Sequence, residues 1–469
     1  MKVNQVLCAL LLLLNAFCAS AGVTFTNLHS FDASTFANGL LLGADGFFYS
    51  VIYSGGTNAS DSILRLTSDG TVTKLISFNG TNGSGLTAPI MWGGDGNFYG
   101  TTSAGGTNGN WGTVFKINGS GILTSLISFN KTNGAVPLAL VRGFDGNLYG
   151  VTWYGGTNFL PIGAGTFFKI TTNGTFTSLY SFGSIPDPSR SPSRSLDGTR
   201  PGLGLVQSKY DGNFYGTTLE GGTGEFGMNG TIFRITPNGS LVTLFSFNGT
   251  NGASPMPLVQ GLDGNFYGAT SDGGTNGTND GTIFKFTTNG ALTSLASFEG
   301  TGQGANPTLM MGADGNFYGT TLFGGTNGSG TIFRMTITGK LTILHTFSAL
   351  NDNTNADGGQ PAYHALVQGN DGNLYGTTGT GGTNGRGTFF RLSVPMPPVF
   401  KSVTKTGGAI KFTWSAVAGQ VYQAQFKSDL NSTNWLDWGS AMTATNGTMS
   451  ASDVIDPGTR RFYRIALIP

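Results

Sequence analysis

The chain has 469 residues, of which only 10% are charged, and its formal net charge is +1. That balance excludes the basic footprint expected of a protein that holds nucleic acid or anionic lipid. Glycine numbers 78, and its placement in a strict repeat makes it turn punctuation rather than a mark of disorder.

The N-terminus reads Met1-Lys2, an apolar run through Leu10 to Leu14, and Ala19-Ser20-Ala21 before Gly22. This pattern predicts a cleaved secretory signal peptide over 1–21, its apolar centre being too short to span a bilayer. Cys8 and Cys18, the only cysteines, both lie inside it, so the exported chain is expected to carry no disulfide and no thiol nucleophile. Asn-x-Thr triplets such as Asn79-Gly80-Thr81 coincide with repeat turns and read as turn chemistry.

From Val23 onward one unit recurs. Its Asp-Gly falls at Asp45, Asp95, Asp145, Asp211, Asp263, Asp314 and Asp371, a period near 50 residues. In the copy spanning 258–298, a short first strand (258–261) leads through Asp263-Gly264, read as a tight two-residue hairpin, into a second strand at 265–270. A Gly- and Asn-rich loop precedes a third strand (282–287), and Asn289-Gly290 turns into a fourth (292–298). Four short strands per unit at this period predict a β-propeller blade. The seventh copy lacks a fourth strand, ending at Gly387-Thr388-Phe389-Phe390-Arg391-Leu392. The mature N-terminus starts with an unmatched one, Val23 to Phe31, which resembles Gly174 to Phe182. Pairing the two predicts an all-β ring of seven blades over 22–393, closed by the N-terminal strand.

The motifs Asp-Gly-Asn-Phe-Tyr-Gly, Gly-Gly-Thr-Asn-Gly, Gly-Thr-Ile-Phe-Arg and Ser-Phe resemble the bacterial Gloeo/Verrucomicrobia ("GloVer") tandem repeat over residues 23–392. The first copy departs, with Asp45-Gly46-Phe47-Phe48-Tyr49-Ser50 and Ser62-Ile63-Leu64-Arg65. The resemblance implies an extracytoplasmic bacterial protein and supplies no catalytic motif. A weaker likeness to kelch units extends to the blade pattern only.

Pro395-Met396-Pro397-Pro398 reads as a stiff linker at 394–399. Alternating strands at 400–469, with Trp414 followed by Tyr422 and Phe426, predict a small β-sandwich resembling fibronectin type III modules.

The repeated Asp reads as a turn residue, since no further carboxylates accompany it as calcium would require. The repeated cation of the third strand (Arg65, Lys116, Lys169, Arg234, Lys285, Arg334, Arg391) reads as a stem covering a sheet face, with its head paired to a turn Asp or carbonyl. His29 and His345 occupy a fourth-strand slot filled elsewhere by Ile76, Ile127, Tyr180 and Phe245, and read as packing residues. No cofactor or metal motif is present.

What differs between copies points to function. The first-to-second and third-to-fourth turns are uniformly short, whereas the other connections are long and share one face of a propeller. The two residues before each Gly-Gly change from copy to copy, among them Trp153-Tyr154, Leu219-Glu220, Ser271-Asp272 and Leu322-Phe323. Insertions at 183–204 and 348–363 join that face. The candidate ligand-binding residues are Trp153, Tyr154, Phe159, Arg190, Arg194, Arg200, Glu220, Phe226, Phe323 and Tyr363. A sparsely charged, aromatic-dotted face suggests extracellular polysaccharide or another cell-envelope component as the partner of a secreted or surface-displayed binding protein. Two alternatives stand beside it. One is a glycan hydrolase or lyase using Glu220, Glu225 or Asp272. The other is a structural envelope or adhesion component in which the C-terminal module docks to the envelope.

Overall fold

The computed structural model describes residues 22–32, 36–53, 61–86, 88–158, 163–187, 195–224, 229–274, 281–298, 308–454 and 461–468. The predicted signal peptide lies outside them. All regular structure in these residues is strand, arranged in antiparallel sheets. The contacts divide into two units, one of 26–367 with 375–391, the other taking in 368–374 and 392–468.

Each repeat forms its own up-and-down sheet. In the third, Ala135–Arg142, Leu148–Tyr154, Thr166–Ile170 and Phe176–Ser181 pair in order. Among the described residues seven such sheets occur in the repeat region. In the seventh, Gly359–Gln368, Leu374–Thr380 and Thr388–Ser393 are joined on their last edge by Thr24–Ser30. Phe31 N donates to Gly387 O at 3.0 Å, and Asn384 Nδ2 donates to Phe31 O at 3.3 Å.

The Asp-Gly turn differs from the expected two-residue hairpin. Gly261 N donates to Asn265 O at 2.8 Å and Gly264 N to Gly261 O at 3.1 Å, enclosing three residues. Gly264 takes a φ of 79°, the left-handed position that such a loop needs at its third residue. Asp263 Oδ1 accepts from Asn265 N at 3.2 Å, and Oδ2 accepts from the Tyr267 hydroxyl at 3.0 Å. The same Tyr–Asp bond recurs at Tyr49, Tyr99, Tyr149, Tyr215 and Tyr318. Lys285 Nζ lies 2.9 Å from Asp263, as the structural reading of the cation expects. In the first copy, where Phe47 replaces Asn, Arg65 instead stacks over that ring at 4.4 Å.

The tyrosine rings are what the sheets share. Tyr49 meets Phe98 of the second sheet at 4.3 Å, Tyr149 meets Phe214, and Tyr215 and Tyr267 meet Phe266 and Phe317 at 4.2 Å. Tyr99 shares a buried cluster with Leu148, and Phe347 packs on Phe390. Tyr375 of the seventh sheet then meets Phe48 of the first at 4.3 Å. Such aromatic pairs contribute about 0.5–1.5 kcal/mol each beyond the area they bury. A sheet with both faces apolar is stable only with neighbours on both sides, which explains why Phe98, Phe168, Phe214 and Phe284 are almost fully buried.

The C-terminal module has two sheets, one of Phe400–Thr406, Ala409–Ser415 and Thr448–Val454, the other centred on Val421–Lys427 beside Phe462–Ile468. Trp414, Tyr422 and Phe412 pack between them with Trp438, Tyr463 and Ile465. Residues 394–399 contain no strand, but Val394 and Met396 are buried.

Candidate binding site

In the third, fourth, fifth and seventh sheets the varying pair before Gly-Gly ends the second strand, beside the start of the first. Tyr154 is the register partner of Ala135, Glu220 of Thr199, and Asp272 of Ala253. A buried threonine two residues earlier fixes this end. Thr152 Oγ1 donates to Tyr154 O at 2.8 Å, with Thr218 and Thr270 doing the same for Glu220 and Asp272 at 2.9 Å. Gly155 follows with a φ of 85°, and a Cβ there would lie 2.5 Å from the Lys131 carbonyl oxygen, so the strand must stop.

Four predicted site residues come together here. Trp153 and Tyr154 stack with centroids 5.4 Å apart and planes 13° from parallel. Arg200 crosses from the fourth sheet to lie 5.5 Å from the Tyr154 ring centroid. Its Nη1 is 2.5 Å from Glu220 Oε1. Arg200 also donates its backbone N–H to Ala164 O of the third sheet at 2.9 Å, which holds the two sheets in register at this point. The Trp153 indole Nε1 is buried with no acceptor among the described residues. The group therefore offers flat rings and a guanidinium whose charge Glu220 already balances.

Asp272, on the fifth sheet, accepts from the Ser271 hydroxyl at 2.7 Å, and Ser271 also reaches Ser254 O at 3.3 Å. Phe323 holds the equivalent place after the second strand of the sixth sheet and is half-buried. Phe159, Arg190, Arg194, Glu225 and Phe226 lie outside the described residues. Tyr363 lies on the strand Gly359–Gln368, with its side chain outside the description.

The two insertions are tied down by carboxylates that the sequence reading passed over. Asp197, fully buried, accepts from Tyr180 Oη at 2.7 Å, Ser184 N at 3.0 Å and Ile185 N at 3.1 Å. Burial pushes the Tyr180 phenol upward; the Ser184 hydrogen bond pulls it back, and the hydrogen bond and charge of Asp197 add to the rise. His345 sits in the equivalent slot, packed edge-on against Phe347 at 4.9 Å as expected, and its Nε2 is also 3.0 Å from Asp357 Oδ2. Sequence reasoning also missed the left-handed residues Val136, Ser254 and Gln360. Their only signal is a proline recurring one position later, and a residue before proline is ordinarily extended.

A profile for the Gloeobacter/Verrucomicrobia repeat matches residues 17–228 and 200–429. No curated protein sequence matches the chain. Among solved structures, a streptogramin B lyase is similar at 16% identity and a TM-score of 0.52, over 80% of this chain and 98% of its own. A catalytically inactive virginiamycin B lyase from Staphylococcus aureus with quinupristin gives 16% and 0.54, over 80% and 100%. PorZ, a surface component of the type-IX secretion system of Porphyromonas gingivalis, gives 13% and 0.50, over 94% of this chain and 60% of its own. At these identities the likeness is one of fold, and that fold is propeller-like.

Proposed function

Because the chain belongs to the Gloeobacter/Verrucomicrobia repeat family, we propose that its repeat sheets are the blades of a seven-bladed propeller closed by the N-terminal strand. In this reading the protein is exported and binds neutral extracellular polysaccharide without cleaving it. The ring draws support from sheet-to-sheet contacts that run from Tyr49–Phe98 onward and return through Tyr375–Phe48. The single observation carrying the binding reading is the cluster of Trp153, Tyr154, Arg200 and Glu220. Stacked rings take the apolar face of a sugar, and polar tips beside them take its hydroxyls. The internal Arg200–Glu220 pair leaves no net charge to attract an anionic chain.

A glycan array with the purified protein tests this, followed by Trp153→Ala and Tyr154→Ala. Each is expected to weaken binding by up to about tenfold, the value of one lost stacking contact. Binding that both variants retain, or no binding at all, refutes the reading. Assay of the bound polymer for shortened or unsaturated products separates binding from cleavage.

A further inference from the structure

In four sheets the second residue of the first strand is a non-glycine residue in the left-handed region, directly before a proline. These are Val136 (φ 55°), Arg200 (55°), Ser254 (53°) and Gln360 (48°). Each is half-exposed, and the residue on either side of it is buried.

The cause of the conformation is the joint between sheets. Val136 N donates to Trp111 O at 3.0 Å, Arg200 N to Ala164 O at 2.9 Å, Ser254 N to Asn229 O at 3.1 Å and Gln360 N to Ser329 O at 2.8 Å. Each acceptor lies in the loop just before the third strand of the preceding sheet. The following proline seats on the glycine after that acceptor: a Cβ on Gly112 would lie 2.6 Å from Pro137 Cδ, and one on Gly165 2.5 Å from Pro201 Cδ. This joint demands a left-handed residue, and glycine meets that demand without steric cost. Valine, branched at Cβ, meets it worst. Yet none of the four is glycine, and they are chemically unlike: apolar, cationic, hydroxyl and amide.

Strain retained at a half-exposed position signals that the side chain has a use. Resting on the polysaccharide reading above, we infer that this pre-proline residue is the specificity-determining position of each repeat. Val136, Arg200 and Ser254, with Tyr154, Glu220 and Asp272, form one rim across the third to fifth sheets for a neutral oligosaccharide. Arg200 shows what the position reaches: the strand-end residue of the preceding sheet, Tyr154, and that of its own, Glu220. By register Val136 follows the partner of Tyr154, and Ser254 follows the partner of Asp272. Val136 supplies apolar contact, and the Ser254 hydroxyl exchanges hydrogen bonds with sugar hydroxyls.

The test is calorimetric titration of Val136→Gly and Ser254→Gly with neutral glucan and mannan oligosaccharides and with a uronate series. The parent is expected to bind a neutral member. Both variants are expected to melt no lower than the parent yet bind about three- to tenfold more weakly, the loss of one contact each. Val136→Asn, which also suits the left-handed region, is expected to behave as Val136→Gly. Variants that bind as tightly as the parent overturn this inference and leave the polysaccharide reading standing. A parent that binds neither series overturns both. Lower melting of all three variants overturns the strain argument.

Discussion

The Tyr375 ring of the seventh repeat sheet lies 4.3 Å from the Phe48 ring of the first, although 327 positions separate them in sequence. Phe48 also meets Phe389 at 5.7 Å and shares a buried cluster with Phe31, which follows the N-terminal strand. One side chain of the first sheet thus touches the last sheet and shares a cluster with the segment that completes it. Phe48→Ala is expected to cost about 3–5 kcal/mol, the range for emptying a buried aromatic site. Denaturant unfolding followed by tryptophan fluorescence measures it. A cost no larger than that of an exposed substitution such as Ile122→Ala would mean that this junction carries no stability.

The repeated Tyr–Asp pair makes the fold sensitive to alkali. Burial, and after it the hydrogen bond and charge of Asp263, raises the Tyr267 phenol from 10.0 to about 12, and Tyr215 beside Asp211 is likewise raised to about 12. The folded chain therefore keeps protons that the unfolded chain releases above pH 10. Stability from these phenols is fully present below pH 10 and is lost as pH rises toward 12. Melting temperature measured across that interval is expected to fall steadily. Tyr267→Phe removes one titrating group and makes the fall shallower; an unchanged slope would contradict the linkage.

Much of this was legible because the repeat states its own chemistry. Asp-Gly, the tyrosine four residues after the Asp and the unmatched strand at Val23 to Phe31 each have local signatures, and the strand pairs as its sequence foretold. The size of the turn was not legible, since Leu262-Asp263-Gly264 and a two-residue hairpin share the same Asp-Gly. Nor was the Arg200–Glu220 pair, which depends on Thr199 and Glu220 becoming register partners. The left-handed Val136 runs against the local rule for a residue before proline, and it goes with a bond to Trp111 in the loop of the neighbouring repeat. Properties set between sheets escape a reading that proceeds one repeat at a time.

The Arg200–Glu220 pair is expected to matter more for binding than for stability. Both side chains are partly exposed, 37% and 25%, and an exposed pair contributes only about 0–1 kcal/mol. Glu220→Gln keeps the size of the side chain and removes its charge, so Arg200 becomes an unbalanced cation beside Tyr154. Melting is expected to change little, while selectivity on a glycan array moves toward anionic chains. Should the variant keep the parent's preference for neutral chains, the idea that Glu220 neutralises the site is wrong.

Asp357 anchors the second insertion. Its carboxylate faces the His345 imidazole at 3.0 Å and accepts from Ser348 N at 3.2 Å on both oxygens. Burial alone would raise this carboxyl, but the bonds from His345 and Ser348 outweigh it and hold the group below its ordinary 3.8. The folded chain then sheds a proton that the unfolded chain retains, so the stabilisation is present above pH 3.8 and is lost as pH falls through the lower folded value. Asp357→Asn is expected to lower stability at neutral pH by about 1–3 kcal/mol, the cost of weakening a buried charged hydrogen bond. It is also expected to speed protease cleavage within 348–358 and to flatten the acid side of the melting profile. Equal cleavage rates and an unaltered acid slope would show that the insertion is held by its Asn355 bonds to Ser348 O and Gly358 O, and not by the carboxylate.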